Sequence, residues 1–266
     1  TLSGGTHTLS VTKRPVTISG GRVYDGTAIV SNSSINTFNN RAGSETLSLT
    51  GSGSIDSAAV GTGKAITLET LALADNSGLA SNYSLSSGTF DVTVKNVTFV
   101  GSRVYDGTTS VNSSNISSTF TGLAGSETLT LSGSGSVASK NVASGQSVTI
   151  GSIAIANGTG VASNYSLTSA TLDITQRPIS LSGTRVYDAT STASSSDLTT
   201  LTNLVGSETL VLSNSGTVSN ANVGTDKTVT IGSLSLGNGS NGGLSSNYTL
   251  SGGTHTLSVT KRPVTI

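Results

Sequence analysis

The sequence predicts an all-β protein, a tandem array of small antiparallel β-sandwich (Ig-like) domains. Three observations predict it. Apolar residues alternate with Ser and Thr through many short stretches, as in Leu129-Thr130-Leu131-Ser132, which is the period of a half-buried strand. Turn residues return about every ten positions, the spacing of a sandwich rather than of a helical protein. Short motifs recur in a fixed order three times, so one structural unit is being copied along the chain.

Within one unit, taken at 95–175, each element has a sequence reason. Asn96 to Val100 is an apolar-alternating strand, and Gly101-Ser102 turns the chain. Arg103-Val104-Tyr105-Asp106-Gly107 follows as an extended segment closed by a turn, because Asp accepts backbone N–H groups and Gly tolerates positive φ. Residues 110–124 read as a strand and a loop. Glu127 to Ser132 places Leu129 and Leu131 on one face, and Gly133-Ser134-Gly135 marks a bulge or bend. Gln146 to Ile155 supplies Val148, Ile150, Ile153 and Ile155 to a further strand. Asn164-Tyr165-Ser166-Leu167 opens the next, and Ala170 to Thr175 ends the unit. About seven short strands result.

The repeats set the boundaries. Arg22-Val23-Tyr24-Asp25-Gly26-Thr27 recurs from Arg103 to Thr108 and, with Ala189 for Gly, from Arg185 to Thr190. Gly43-Ser44-Glu45-Thr46-Leu47 recurs at 125–129 and 206–210. Ser81-Asn82-Tyr83 recurs at 163–165 and 246–248, so all six tyrosines lie in one of two motifs. Dividing at the basic junctions gives repeats over 13–94, 95–175 and 176–260. Residues 1–18 are identical to 249–266. Residues 1–12 therefore read as the last strand of a preceding repeat and 261–266 as the first strand of a following one. The junctions carry no Gly/Ser or Pro-rich spacer, and the Pro of Arg177-Pro178 favours extended backbone. The expectation is a stiff row of domains, each closing its own interior.

Composition narrows the function classes. Of 266 residues, 92 are Ser or Thr and 33 are Gly, and 13 basic residues balance 13 acidic ones. A chain with no net charge and no basic cluster has no electrostatic footprint for nucleic acid. No apolar run approaches the roughly 18 residues of a helical span, so direct membrane insertion is not expected. With no Cys, thiolate chemistry and disulfides are absent.

The ordered set Arg-Val-Tyr-Asp-Gly-Thr, Gly-Ser-Glu-Thr-Leu, Asn222-Val223-Gly224, Ser-Asn-Tyr and Lys-Arg-Pro resembles the YDG repeat, akin to the Gly-rich MBG repeats. The resemblance covers all three units. It departs at Ala189 and at Lys95-Asn96-Val97, which replaces Lys-Arg-Pro. It implies a stalk or filament segment of a large secreted or surface adhesin of filamentous-haemagglutinin type, outside a Gram-negative cell. It implies no ligand, because such repeats support a separate binding region.

The residues singled out are Arg22, Tyr24 and Asp25, their counterparts Arg103, Tyr105, Asp106 and Arg185, Tyr187, Asp188, and the pairs Asn82-Tyr83, Asn164-Tyr165 and Asn247-Tyr248. They read as structural: Asp holding a turn with Arg bridging to it, Tyr packing near a domain junction, Asn holding a turn. A periodic tyrosine surface for glycan or matrix polymer is the competing reading. Exposed tyrosines favour that surface, and buried ones favour a stalk. A third reading is self-assembly, with chains associating laterally or by terminal strand exchange into fibres. The Asn-Tyr-Ser/Thr triplets are also glycosylation sequons. No cofactor is expected; for calcium, which needs six to eight oxygens, Asp25, Asp106 and Asp188 near the junctions are the best candidates. No nucleophile–His–carboxylate set suggests an enzyme, and His7 and His255 read as exposed strand residues.

Overall fold

A computed structural model describes residues 4–266. Among them are 26 strands, four single-turn 3₁₀ segments and no α-helix. The chain forms two compact units. The first comprises the chain up to Thr98 with Phe120–Thr130 and Ile155–Thr168. The second comprises Phe99–Thr119, Leu131–Ala154 and Ser169–Ile266.

In the first unit, the first repeat supplies β1 (Arg14–Val23), β2 (Ile29–Ser31), β3 (Ile35–Asn39), β4 (Ser48–Thr50), β5 (Ser52–Ser54), β6 (Gly61–Ala65), β7 (Ala72–Ala74) and β8 (Tyr83–Thr93). A four-stranded sheet has the order β3-β1-β8-β6, and the pairs β2-β5 and β4-β7 complete a sandwich-like arrangement. Alternation decides what is buried. Val16 and Ile18 of β1, and Phe90 and Val92 of β8, point inward, while intervening Thr17, Thr89 and Asp91 point away from the interior.

The all-β sandwich expectation holds and most strand pairs are antiparallel, but the sheets also contain parallel pairs that the sequence did not reveal. β1 and β8, the first and last strands, run parallel from Arg14 beside Tyr83 to Val23 beside Thr93. In the third repeat, Ser180–Val186 and His255–Thr260 are parallel likewise, from Leu181 beside His255 to Val186 beside Thr260. The reason is topological. A domain whose first and last strands run side by side in one direction takes the chain in at one end and releases it at the other. Over ten residues, that displacement is about 30 Å.

The core also departs from the expectation of separately closed interiors. In the first unit, one cluster joins Ile18, Tyr24, Val30, Ile66, Phe90 and Val92 of the first repeat to Val97, Ala124, Leu129 and Tyr165 of the second. Repeats of about 80 residues bury a small share of their surface, and this one is rich in Ser, Thr and Gly. Continuing the core across the junction enlarges what each repeat can bury.

In the second unit, the third repeat forms a six-stranded sheet in the order Thr192–Ser194, Ser215–Val218, Gly224–Thr230, His255–Thr260, Ser180–Val186, Thr200–Thr202. His255 lies buried here, against the expectation of an exposed strand histidine, whereas His7 is exposed. Its Nδ1 accepts the Leu181 N–H at 3.2 Å and its Nε2 lies 2.8 Å from the Leu250 carbonyl, so both ring nitrogens are satisfied without water.

A close backbone approach fixes one glycine. The register of β1 against β3 shifts between Ser19 and Gly20, and a Cβ on Gly20 would stand 2.1 Å from the Ser34 carbonyl oxygen. Gly183 meets the Asp197 carbonyl in the same way, at 1.8 Å. Gly20→Ala is expected to cost about 1–3 kcal/mol as an overpacking substitution, read as a lower urea midpoint.

Candidate functional site

The Tyr-Asp-Gly turn is built from the strand that precedes it. Asp25 Oδ1 accepts the Thr27 N–H at 2.9 Å and its hydroxyl at 3.0 Å. Asp106 and Asp188 hold Thr108 and Thr190 in the same geometry. The Arg two residues before each Tyr folds back over the turn. Arg22 donates to the Thr27 and Ile29 carbonyls, Arg103 to those of Thr108 and Ser110, and Arg185 to those of Thr190 and Thr192. Each also faces its own Asp, at 3.1, 3.4 and 3.5 Å respectively. Asp25, Asp106 and Asp188 are thus engaged in turns, and no group of three His, Cys, Asp or Glu gathers among the described residues.

The Ser-Asn-Tyr motif forms a second device. A 3₁₀ turn over Ala80–Asn82, Ala162–Asn164 or Ser245–Asn247 delivers the tyrosine into the interior. Its hydroxyl is clamped by the Gly-Ser-Glu turn of the same repeat. Tyr165 accepts the Ala124 N–H at 3.1 Å and donates to Glu127 Oε2 at 2.6 Å. Tyr248 accepts from Val205 at 3.0 Å and donates to Glu208 Oε2 at 2.7 Å. Tyr83 accepts from Ala42 at 3.0 Å and donates to Glu45 Oε2.

The two devices meet where one repeat adjoins the next. Tyr24 of the first repeat donates to Glu127 Oε1 of the second at 2.7 Å. Tyr105 of the second donates to Glu208 Oε1 of the third at 2.7 Å. One carboxylate therefore receives a hydroxyl on each oxygen, one from its own repeat and one from the repeat before. The paired rings pack edge to face, Tyr24 on Tyr165 at 5.4 Å and Tyr105 on Tyr248 at 5.5 Å. A further bond spans each joint: Asn164 Oδ1 accepts the Val60 N–H at 3.0 Å, and Asn247 Oδ1 accepts that of Val142 at 2.9 Å. At the second joint Arg177 adds a bond to the Tyr105 carbonyl at 3.3 Å, and Lys140 lies 3.2 Å from Glu208.

Burial shapes the electrostatics. Removal from water is the main force raising the Tyr24 and Tyr105 hydroxyls above their ordinary range, and the adjacent carboxylate adds to it. The same causes push Tyr165 up to about 12. Burial alone would raise the Glu208 carboxyl, yet the Tyr248 and Tyr105 hydroxyls and Lys140 outweigh it and hold the group below its usual value. The pH dependence follows from these directions. Glu208 contributes stability above the carboxylate range that is lost as pH falls through its depressed value. The tyrosines contribute stability that is complete below about pH 10 and declines as pH rises toward 12. Urea midpoints measured across pH are expected to hold a plateau near neutrality and fall on both flanks, with Tyr165→Phe flattening the alkaline one.

The model of the YDG domain matches the chain three times, over residues 8–90, 91–172 and 173–256. The chain belongs to the YDG domain family. Comparisons with curated proteins and with solved structures gave no match.

In this YDG chain, five of the six tyrosines are buried; Tyr187 is half-buried. Asn164 and Asn247 are buried in the joints, so their sequons lie within packed structure, while Asn82 is exposed. Sequence reasoning missed the glutamates. Glu45, Glu127 and Glu208 were legible only as members of a repeated motif. The available signal was one carboxylate recurring in step with two tyrosines in an otherwise hydroxyl-rich, weakly charged chain.

Proposed function

We propose that this chain is a non-enzymatic spacer segment of a long, repetitive extracellular protein, in which consecutive YDG domains are locked to one another to resist bending. One observation carries the reading. The tyrosines of the signature motif, at the first and second repeats, are spent on the neighbouring repeat: Tyr24 and Tyr105 are buried and hydrogen-bonded to the next repeat's glutamate. A side chain consumed in such a joint is withheld from a glycan or matrix ligand. The parallel first and last strands of the first and third repeats support the same role, because such a repeat passes the chain onward by a strand's length. The resemblance to repeat regions of large bacterial adhesins supports a setting outside a Gram-negative cell, without cofactor, nucleic acid or membrane insertion.

The test is small-angle scattering from one, two and three copies of the chain fused in tandem. A spacer of locked domains gives a maximum dimension rising in proportion to copy number. A chain of free hinges rises closer to the square root of length and refutes the reading.

A further inference from the structure

Asparagine is a thermolabile residue, and it is followed by glycine three times in the chain, at Asn157-Gly158, Asn238-Gly239 and Asn241-Gly242. A glycine in that place leaves the asparagine side-chain carbonyl carbon open to attack by the next backbone nitrogen, because no Cβ shields it. All three asparagines are exposed. What separates them is whether the attacking nitrogen and the side chain are held.

Asn157 and Asn238 close the strands Ala154–Asn157 and Ser235–Asn238. The N–H that follows each is bonded: Gly158 donates to the Gly160 carbonyl at 3.2 Å and Gly239 to the Gly243 carbonyl at 3.0 Å. Their side chains are held as well. Asn157 Oδ1 accepts the Ala162 N–H at 2.8 Å, and Asn238 Oδ1 accepts the N–H and the hydroxyl of Ser245 at 2.8 and 3.0 Å. Reaction at either site must first break these bonds.

Asn241-Gly242 lies in an insertion. Where the first and second repeats have Ser77-Gly78 and Thr159-Gly160, the third has Ser240-Asn241-Gly242-Gly243. The insertion makes a tight turn: φ is +57° at Asn241 and +87° at Gly242, and the Gly243 N–H closes it on the Ser240 carbonyl at 3.1 Å. Positive φ at both central positions is the geometry that Asn-Gly favours. In this turn the Gly242 N–H has no acceptor among the described residues. The Asn241 side chain donates from Nδ2 to the Ser207 carbonyl at 2.9 Å. The turn borders the second joint, since Ser207 precedes Glu208 and a Cβ on Gly242 would stand 3.9 Å from both Glu208 Oε1 and Lys140 Nζ.

We propose that Asn241 is a site of spontaneous deamidation, through which the second joint changes as the protein ages. The Gly242 nitrogen loses its proton to solvent base and attacks Asn241 Cγ. The bond from Cγ to Nδ2 breaks, and that nitrogen leaves as ammonia. The five-membered imide so formed takes up water at one of its two carbonyls, giving aspartate or isoaspartate. Either product has a carboxylate, which only accepts hydrogen bonds and cannot replace the bond to the Ser207 carbonyl. Its negative charge arises beside Glu208 and competes with it for Lys140. The chemistry of this site is independent of the spacer role.

The experiment incubates the full chain at mildly alkaline pH, folded and in concentrated urea. Each asparagine is followed by peptide mapping with tandem mass spectrometry, which separates Asn238 from Asn241 by fragment mass. In the folded chain, aspartate and isoaspartate are expected to form from Asn241 roughly tenfold faster than from Asn157 or Asn238, a factor set by the hydrogen bonds those two must first break. Urea is expected to erase the difference. The aged chain is expected to show a lower urea midpoint, whereas Asn241→Gly, which tolerates the positive φ and lacks the reactive amide, is expected to age without that loss. No product from Asn241, or rates in the folded chain that are equal at the three sites or faster at Asn157 or Asn238, overturns the assignment of the site. A midpoint that falls as far on ageing in Asn241→Gly as in the unsubstituted chain overturns its link to the joint.

Discussion

Tyr105→Ala is expected to lower stability by about 3–5 kcal/mol, the range for deleting a buried aromatic side chain. Tyr105 is fully buried, packs edge to face on Tyr248 and donates to Glu208. Truncation removes that packing and leaves the Glu208 Oε1 with Lys140 alone. The chain contains its own control. Tyr187 occupies the same motif and the same strand end, with its N–H bonded to Thr260 as that of Tyr105 is bonded to Thr175. It is half-buried, so Tyr187→Ala is expected to cost under about 1 kcal/mol, in line with substitutions away from packed features. Urea unfolding of both variants measures the difference. Equal losses would show that the tyrosine acts inside its own repeat.

Glu208→Ala is expected to cost about 3–5 kcal/mol, because it strands two buried tyrosine hydroxyls at roughly 1–3 kcal/mol each. The Lys140 ion pair adds little, since that lysine is partly exposed and such pairs contribute about 1 kcal/mol or less. Glu45→Ala strands only the Tyr83 hydroxyl, which still accepts the Ala42 N–H and borders an open cavity that water can enter. Its expected cost is about 1–2 kcal/mol, the lower part of the range for one unsatisfied group. The order Glu208 above Glu45 is the discriminating result, again read from urea midpoints.

Much of the fold was legible because it rests on local rules. Alternation along Leu129 to Ser132 and along Ala170 to Thr175 marks strands, and the Asp-Gly-Thr turn follows from the hydrogen-bonding reach of Asp25. The parallel pairing of β1 with β8 was not legible, since register between strands some 70 residues apart leaves no local trace. His255 reads as an exposed alternating residue until its two neighbours are known: the Leu181 N–H comes from a strand 74 residues earlier and the Leu250 carbonyl from the turn before it. Glu127 shows the same limit. A carboxylate beside Ser and Thr reads as surface, and only the two tyrosines 103 residues before it and 38 after it make it a half-buried residue of the joint. The continuous core of the first unit was hidden for a related reason. Val97 and Ala124 look like members of their own repeat, and their packing with Tyr24 and Phe90 depends on how the junction is set.

The account turns on neighbouring repeats being coupled through the shared glutamate, and a double-mutant cycle between Tyr105→Phe and Glu208→Gln measures that coupling directly. A coupling energy of about 1 kcal/mol or more, with each substitution costing less in the presence of the other, is the predicted result for two groups in one hydrogen-bond network. Additivity within about 0.3 kcal/mol would mean that the two residues stabilise their repeats independently, and would contradict the locked joint.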